Sequence, residues 1–326
     1  EIRGQKSAGR SQRSEVRSQI QSTKDIKNRA LVADLKRNSL DDGPGIRTVI
    51  FFKGCPLRCI WCHNPETKKA RPELTFKASE CIGCGDCAAV CSVNAIDCND
   101  SERINRSVCN VCLDCVDVCP AEALKVTGQF YTVAELYRLI MRDEPFFRFS
   151  GGGVTYSGGE PTVYLHFLRN LSAQLKESNI TVTLETCGYY KHSLLETELL
   201  PFIDQLFFDL KFVDPELHKQ YTSRTNDLII KNLLHLVENP ETREKLLVRI
   251  PLVPDVTATA RNLSEITKFL KDKGIWKVEL LEYNPTWHDK ALNLGHDLQY
   301  NHSKFMTSSL REQVKLLFSD FDIGKF

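Results

Sequence analysis

The sequence has little methionine, almost no net charge and no long apolar run. Only 2 methionines occur in 326 residues. No stretch reaches the ~18 consecutive apolar residues that cross a bilayer, so no helical membrane span is expected. Lysine and arginine number 43 against 42 acids, a formal net charge of +1. That balance excludes bulk electrostatic attraction to nucleic acid or a membrane surface. An apolar signal segment is also missing, and a cytoplasmic monomer is expected.

Cysteine is abundant instead. There are 13, and all but Cys187 lie between Cys55 and Cys119. Disulfide frameworks belong to small secreted domains with weak cores. This chain is long enough for about two domains, and its odd cysteine count fits pairing poorly. Metal ligation remains, as zinc or iron–sulfur clusters.

The cysteines form three runs. Cys55, Cys59 and Cys62 are spaced C-x3-C-x2-C. Cys81, Cys84, Cys87 and Cys91 are spaced C-x2-C-x2-C-x3-C, and Cys109, Cys112, Cys115 and Cys119 repeat that spacing at a constant offset (109 − 81 = 119 − 91 = 28). Zinc sites usually show two C-x2-C pairs split by a longer loop. The duplicated run instead has the spacing of bacterial two-cluster ferredoxins, in which the fourth cysteine of each run ligates the other cluster. The resemblance covers 75–127 and assigns Cys81, Cys84, Cys87 and Cys119 to one [4Fe–4S] cluster. Cys109, Cys112, Cys115 and Cys91 then hold a second. Ser92 departs from the pattern where Pro120 follows the matching cysteine.

The first run is a different device. Three thiolates leave one iron of a cubane open, as catalytic metals keep an open position. Thr48 to Phe52 reads as a buried strand, and the loop starts straight after it at Lys53-Gly54-Cys55. Strand ends are where parallel α/β barrels place their chemistry.

Three segments together resemble the radical SAM activating enzymes of glycyl-radical enzymes: Asp41-Asp42-Gly43-Pro44-Gly45-Ile46-Arg47, Phe52 to Cys59, and Trp61-Cys62-His63-Asn64-Pro65-Glu66. The insert after the first run is similar to the larger subgroup with a two-cluster ferredoxin domain. The resemblance implies a partial (β/α)6 barrel of the α/β class with an inserted bacterial-ferredoxin-like α+β domain. Its parts are core at 31–74 and 128–326, with the insert at 75–127. It implies an oxidoreductase of anaerobic chemistry that holds three [4Fe–4S] clusters and S-adenosylmethionine. The cluster at Cys55, Cys59 and Cys62 cleaves that cofactor reductively. The resulting 5′-deoxyadenosyl radical takes a hydrogen from a glycine of the partner enzyme. A flavodoxin or ferredoxin supplies the electron.

Downstream, strands at 152–156, 180–184, 205–208, 246–250 and 278–281 alternate with helices at 163–175, 228–237 and 263–270, which predicts a parallel sheet. Polar residues gather at the strand ends. Gly158 and Gly159 allow close backbone approach, and Glu160 can accept hydrogen bonds from an ammonium group. By resemblance, Trp61, Cys62, His63, Gly158, Gly159, Glu160, Glu185, Asp209, Leu210, Lys211, Arg249 and Asn284 form the cofactor site. Asp42 helps hold the partner's glycine loop. Glu185 stands where the pyruvate formate-lyase activase has an aspartate that, with the Asp209 match, holds a monovalent cation. Asn284 replaces a cofactor-contacting histidine, for which His288 is a candidate substitute.

Cys98 and Cys187 are left over and read as packing residues. Residues 1–30 carry 8 lysines or arginines against 3 acids and no aromatic, too little apolar surface to order themselves. They are expected to be a disordered or non-native leader. Two other functions stay open: a radical SAM enzyme acting on a small molecule or peptide, and a ferredoxin-like electron carrier. Iron analysis checks the cysteine assignment, since three cubanes give about 12 irons per chain. Zinc in the insert would overturn it.

Overall fold

The computed structural model describes residues 28–324. Of the 1–30 leader, residues 1–27 lie outside the described residues, whereas Arg29 and Ala30 belong to the first strand.

The strands, in chain order, are β1 (Arg29–Ser39), β2 (Arg47–Phe52), β3 (Glu73–Phe76), β4 (Leu124–Thr127), β5 (Gln129–Thr132), β6 (Gly153–Gly158), β7 (Thr181–Thr186), β8 (Gln205–Asp209), β9 (Leu246–Leu252), β10 (Lys277–Glu282) and β11 (Asp322–Ile323). Nine of them form one sheet in the order β11-β10-β9-β8-β7-β6-β2-β1-β5. Its centre, β2 and β6 to β10, is six parallel strands. These are the six expected, as a partial (β/α)6 barrel requires. The sheet is extended by antiparallel β1 and β5 on one side and the short β11 on the other.

Side chains alternate across a strand. One face of the parallel strands is uniformly apolar: Ile50, Phe52, Val154, Tyr156, Val182, Leu184, Phe208, Val248 and Ile250 are all fully buried. Helices cover that face. Leu165–Glu177 brings Phe167, Leu168, Leu171 and Leu175 to it. Asp227–Glu238 and Ala260–Asp272 bring Leu233, Leu236, Ile266 and Leu270.

The other face is polar where an ordinary barrel packs branched apolar residues. Arg47, Thr155, Ser157, Thr183, Glu185, Asp209 and Arg249 sit on it. Arg47, at the start of β2, donates to Thr155 Oγ1 at 2.7 Å, Thr181 Oγ1 at 3.1 Å and the carbonyls of Pro44 and Val154. Burial lowers its pKa to about 10.

Between β2 and β5 the chain makes a smaller unit. β3 and β4 pair antiparallel over a separate core of Leu74, Phe76, Ile104, Leu113, Val116 and Leu124. The cysteine repeat is visible in its backbone. Positive φ angles recur at Gly83 and Val111, Gly85 and Leu113, and Asn94 and Glu122, each pair separated by the offset of the cysteine runs. The pairing interchanges the two units. Phe76 of the first unit pairs with Leu124 of the second. Their counterparts across the repeat, Ile104 and Ile96, also pair with each other.

One buried ion pair joins this unit to the sheet. Lys53 follows β2 and has no exposed surface. Its ammonium meets Glu73 of β3 at 3.2 Å and donates to the carbonyl of Glu66. Its backbone N–H donates to Leu31 of β1, and its carbonyl accepts from the Tyr164 hydroxyl. Breaking a buried pair strands the remaining charge, at a cost of about 3–5 kcal/mol. Lys53→Met is therefore expected to lower the urea midpoint of the protein, with Lys53→Met/Glu73→Leu recovering most of the loss. An unchanged midpoint in the single variant would contradict this role.

Candidate active site and metal centres

The carboxyl ends of the parallel strands open on a cavity of about 350 Å3, and Cys55, Cys59 and Cys62 line it. Their loop is held at many points. Gly54 and Cys55 donate to the carbonyls of Thr67 and Lys68, and Arg58 and Ile60 to those of Thr222 and Tyr221. Trp61 is buried against Phe212 and Tyr221. Lys290, on the helix Trp287–Asn293, clamps the loop's far side, meeting Asn64 Oδ1 and Glu66 Oε1 at 3.1 Å each.

Burial pushes the Cys59 thiol up to about 12 and also raises Cys62. Cys55 is lowered by a hydrogen bond from the thiol of Cys187, whose own pKa that bond and burial push well up. Metal must displace these protons to bind thiolate. Three thiols beside an open cavity fit a cubane with one iron free for a ligand.

The same cavity is lined by a charged layer. Arg249 donates to Glu185 Oε1 at 2.7 Å and to Asp209 Oδ1 at 3.1 Å. Lys211 reaches Asp209 Oδ2 at 3.3 Å, and Ser157 donates to the other oxygen of Glu185. Burial works against the Asp209 carboxylate, yet Lys211 and Arg249 hold it below the usual carboxylate range. Burial likewise opposes the charge on Arg249, but Glu185 and Asp209 raise its pKa. Two acids thus face two bases. The carboxylates expected to hold a monovalent cation are already satisfied by Arg249, Lys211 and Ser157, so the donor set as arranged does not fit one.

Gly158 and Gly159 also line the cavity. A Cβ on Gly158 would come within 2.3 Å of Phe52 N, and one on Gly159 within 2.4 Å of Gly54 O. Only glycine lets this edge lie against the cluster loop. Glu160 departs from the direct ammonium contact expected of it. It is fully buried, and its carboxylate accepts from the Thr162 N–H, the Thr186 hydroxyl at 3.0 Å and the Cys187 N–H at 2.8 Å. It locks the end of β6 to the end of β7.

Trp61, His63 and Asn284 line the cavity. Leu210 is fully buried in the core and does not line it. His288 does not line the cavity; its ring lies 3.3 Å from the Tyr283 hydroxyl and against Trp287. Asp42 lies apart from the cavity, in the turn before β2, where Lys36 and Ser39 hold its carboxylate. Sequence reasoning misses Lys68 and Lys290 and gives Cys187 no role. Lysines on loops and helices carry no periodic signal; only the strand-end position of Cys187 marks it.

In the insert, Cys81, Cys84, Cys87 and Cys119 line one small cavity of about 20 Å3. Burial pushes Cys115 up to about 12, with Cys109, Cys112, Cys87 and Cys91 close enough to add to the shift. Cys119 thus stands with the first three cysteines of the other run, and Cys91 lies close to Cys115. Among the described residues no three His, Cys, Asp or Glu side chains converge on a point that could hold a single metal ion.

Residues 49–263 match the Radical SAM superfamily. The choline trimethylamine-lyase activating enzyme of Oleidesulfovibrio alaskensis is 33% identical over 305 residues, 91% of this chain and 97% of that relative. The chain belongs to the radical SAM superfamily, among the activating enzymes of glycyl-radical enzymes. The indoleacetate decarboxylase activating enzyme of Tractidigestivibacter scatoligenes is 36% identical over 286 residues, 84% of this chain and 90% of that relative. A radical SAM methyltransferase structure from Sphaerobacter thermophilus shares the fold alone. Its TM-score is 0.51 at 14% identity, over 90% of this chain and 76% of that one.

For this activating enzyme the balanced charged layer predicts no need for an alkali cation. Affinity for S-adenosylmethionine by calorimetry should agree within about twofold between potassium and tetramethylammonium chloride. A tenfold loss without potassium would contradict the reading.

Proposed function

We propose that this protein activates a partner glycyl-radical enzyme, and that its cavity holds one [4Fe–4S] cluster together with S-adenosylmethionine. The observation that carries the proposal is the cavity itself, lined by three thiols, a glycine edge and a charge-neutral layer. When bound, the cluster supplies the electron that cleaves S-adenosylmethionine to methionine and a 5′-deoxyadenosyl radical, which takes a hydrogen from a glycine of the partner.

The chain's own residues orient the cofactor and exclude competing reactions. Cys55, Cys59 and Cys62 would hold the cluster by three of its irons, leaving one open to the cofactor. The backbone at Gly158 and Gly159 receives the amino group. Arg249 and Lys211 would donate N–H hydrogen bonds to the carboxylate, while Glu185 and Asp209 keep their side chains in place. Trp61, His63, Leu252, Val253 and Asn284 line the remaining walls. Glu160 acts at one remove, fixing the strand ends that carry the glycine edge.

The insert, 75–127, is read as a ferredoxin-like unit with two further [4Fe–4S] clusters, between core segments 31–74 and 128–326. Cys81, Cys84, Cys87 and Cys119 hold one cluster, and Cys109, Cys112, Cys115 and Cys91 the other. A flavodoxin or ferredoxin is the proposed electron donor, and Asp42 a contact for the partner's glycine loop.

The test is anaerobic incubation with S-adenosylmethionine, a reductant and the glycyl-radical enzyme encoded nearest the gene. A glycyl radical on that enzyme, with methionine and 5′-deoxyadenosine formed, is the expected result, and Cys59→Ala should abolish it. Cofactor cleavage with no radical on any candidate partner would favour a small-molecule or peptide substrate. No cleavage at all would leave only electron transfer.

A further inference from the structure

The two units of the insert repeat one another in cysteine spacing, yet their cysteines are not equivalently surrounded. Arg103 makes the difference. Its guanidinium donates to Cys81 Sγ at 3.0 Å. Cys87 and Cys98 lie close to the same charge, and the guanidinium carbon stands 5.0 Å from the centroid of the Phe76 ring. Arg103 is only 8% exposed.

The backbone is shaped for this contact. Arg103 adopts φ 61°, which non-glycine residues seldom do. Its N–H donates to Asp100 O at 3.1 Å, and its carbonyl accepts from Asp97 at 3.0 Å. The strained turn aims the side chain back over Phe76 at the cysteines.

The other unit lacks this contact. The counterpart of Arg103 across the repeat is Thr75, whose hydroxyl donates to the carbonyl of Lys125. The second run does have a nearby cation, Arg106, whose charge is felt by Cys109. Arg106, however, spends its two terminal nitrogens on the carbonyls of Leu74 and Asn293.

We propose that Arg103 makes the cluster held by Cys81, Cys84, Cys87 and Cys119 the more easily reduced of the two insert clusters. The inference rests on the two-cluster reading of the insert. Reduction adds one electron, and thus one negative charge, without breaking a bond. A cation donating to a ligand sulfur stabilises that added charge, and hydrogen bonds to sulfur and net charge are known settings of cluster potential. The electron comes from any low-potential one-electron donor. Cys84 is exposed and neighbouring Ile82 is 67% exposed, whereas Cys115 of the other run is buried. The cluster that fills first is therefore also the one nearer the surface.

Arg103 acts as a positioning residue, and the test is a potentiometric titration of the iron-loaded protein followed by electron paramagnetic resonance. The wild type should hold about 12 irons and show the two insert clusters reducing in separate waves. Arg103→Gln should move the higher wave down and leave the lower one in place. At the wild-type midpoint its ratio of reduced to oxidised cluster should fall about tenfold, the scale of one lost charge-assisted hydrogen bond. If Arg103→Gln sheds the cluster, Arg103→Lys, which keeps the charge without the fork, should hold its iron and move the wave less far in the same direction. A higher wave unmoved in whichever variant retains its iron would overturn the proposal. Wild-type iron near four per chain would instead overturn the two-cluster reading beneath it.

Discussion

The architecture turns on a lysine with no route to water. Lys53 ends the first parallel strand, and its backbone and ammonium together touch β1, the far end of the cluster loop, the first strand of the insert and the turn after β6. An ammonium buried this deeply is tolerable only with carboxylate and carbonyl partners in place. Those partners are parts that must be in register for a three-cysteine loop to face a cavity. Gly128 leaves room for the side chain: a Cβ there would come within 2.6 Å of Lys53 Cδ.

The same economy of charge governs the cavity. A parallel barrel normally fills its interior with branched apolar residues. Here the inner face carries acids and bases that neutralise one another before any ligand enters. Arg249 lies across from Asp209 in strand register, so backbone pairing sets their meeting. Glu185 is the longer acid, and it reaches Arg249 at 2.7 Å. The Glu160 carboxylate is likewise consumed, joining the ends of two strands.

Much of this is legible in the residues. The six parallel strands can be read nearly to their ends, because buried β-branched runs between turn signals are a strong pattern. The cysteine repeat reappears in backbone angles and in crossed strand pairing. β1 escapes because its alternation is broken by two register shifts and a charged, half-exposed second half. β5, half-buried along its whole length, offers no pattern at all. In the repeat, Gly83 and Gly85 announce positive φ angles, whereas Val111 and Leu113 adopt them without any sign in residue type. Lys53, Lys290 and Arg103 escape notice because their partners are distant in sequence, and a buried ion pair leaves no local trace.

The proposed function divides the cysteines into one open set of three and two crossed sets of four. Anomalous diffraction at the iron edge from anaerobically loaded crystals tests it most directly. Three iron centres are expected: beside Cys55, Cys59 and Cys62; among Cys81, Cys84, Cys87 and Cys119; and among Cys109, Cys112, Cys115 and Cys91. Iron confined to the first position, or a zinc edge within the insert, would contradict it.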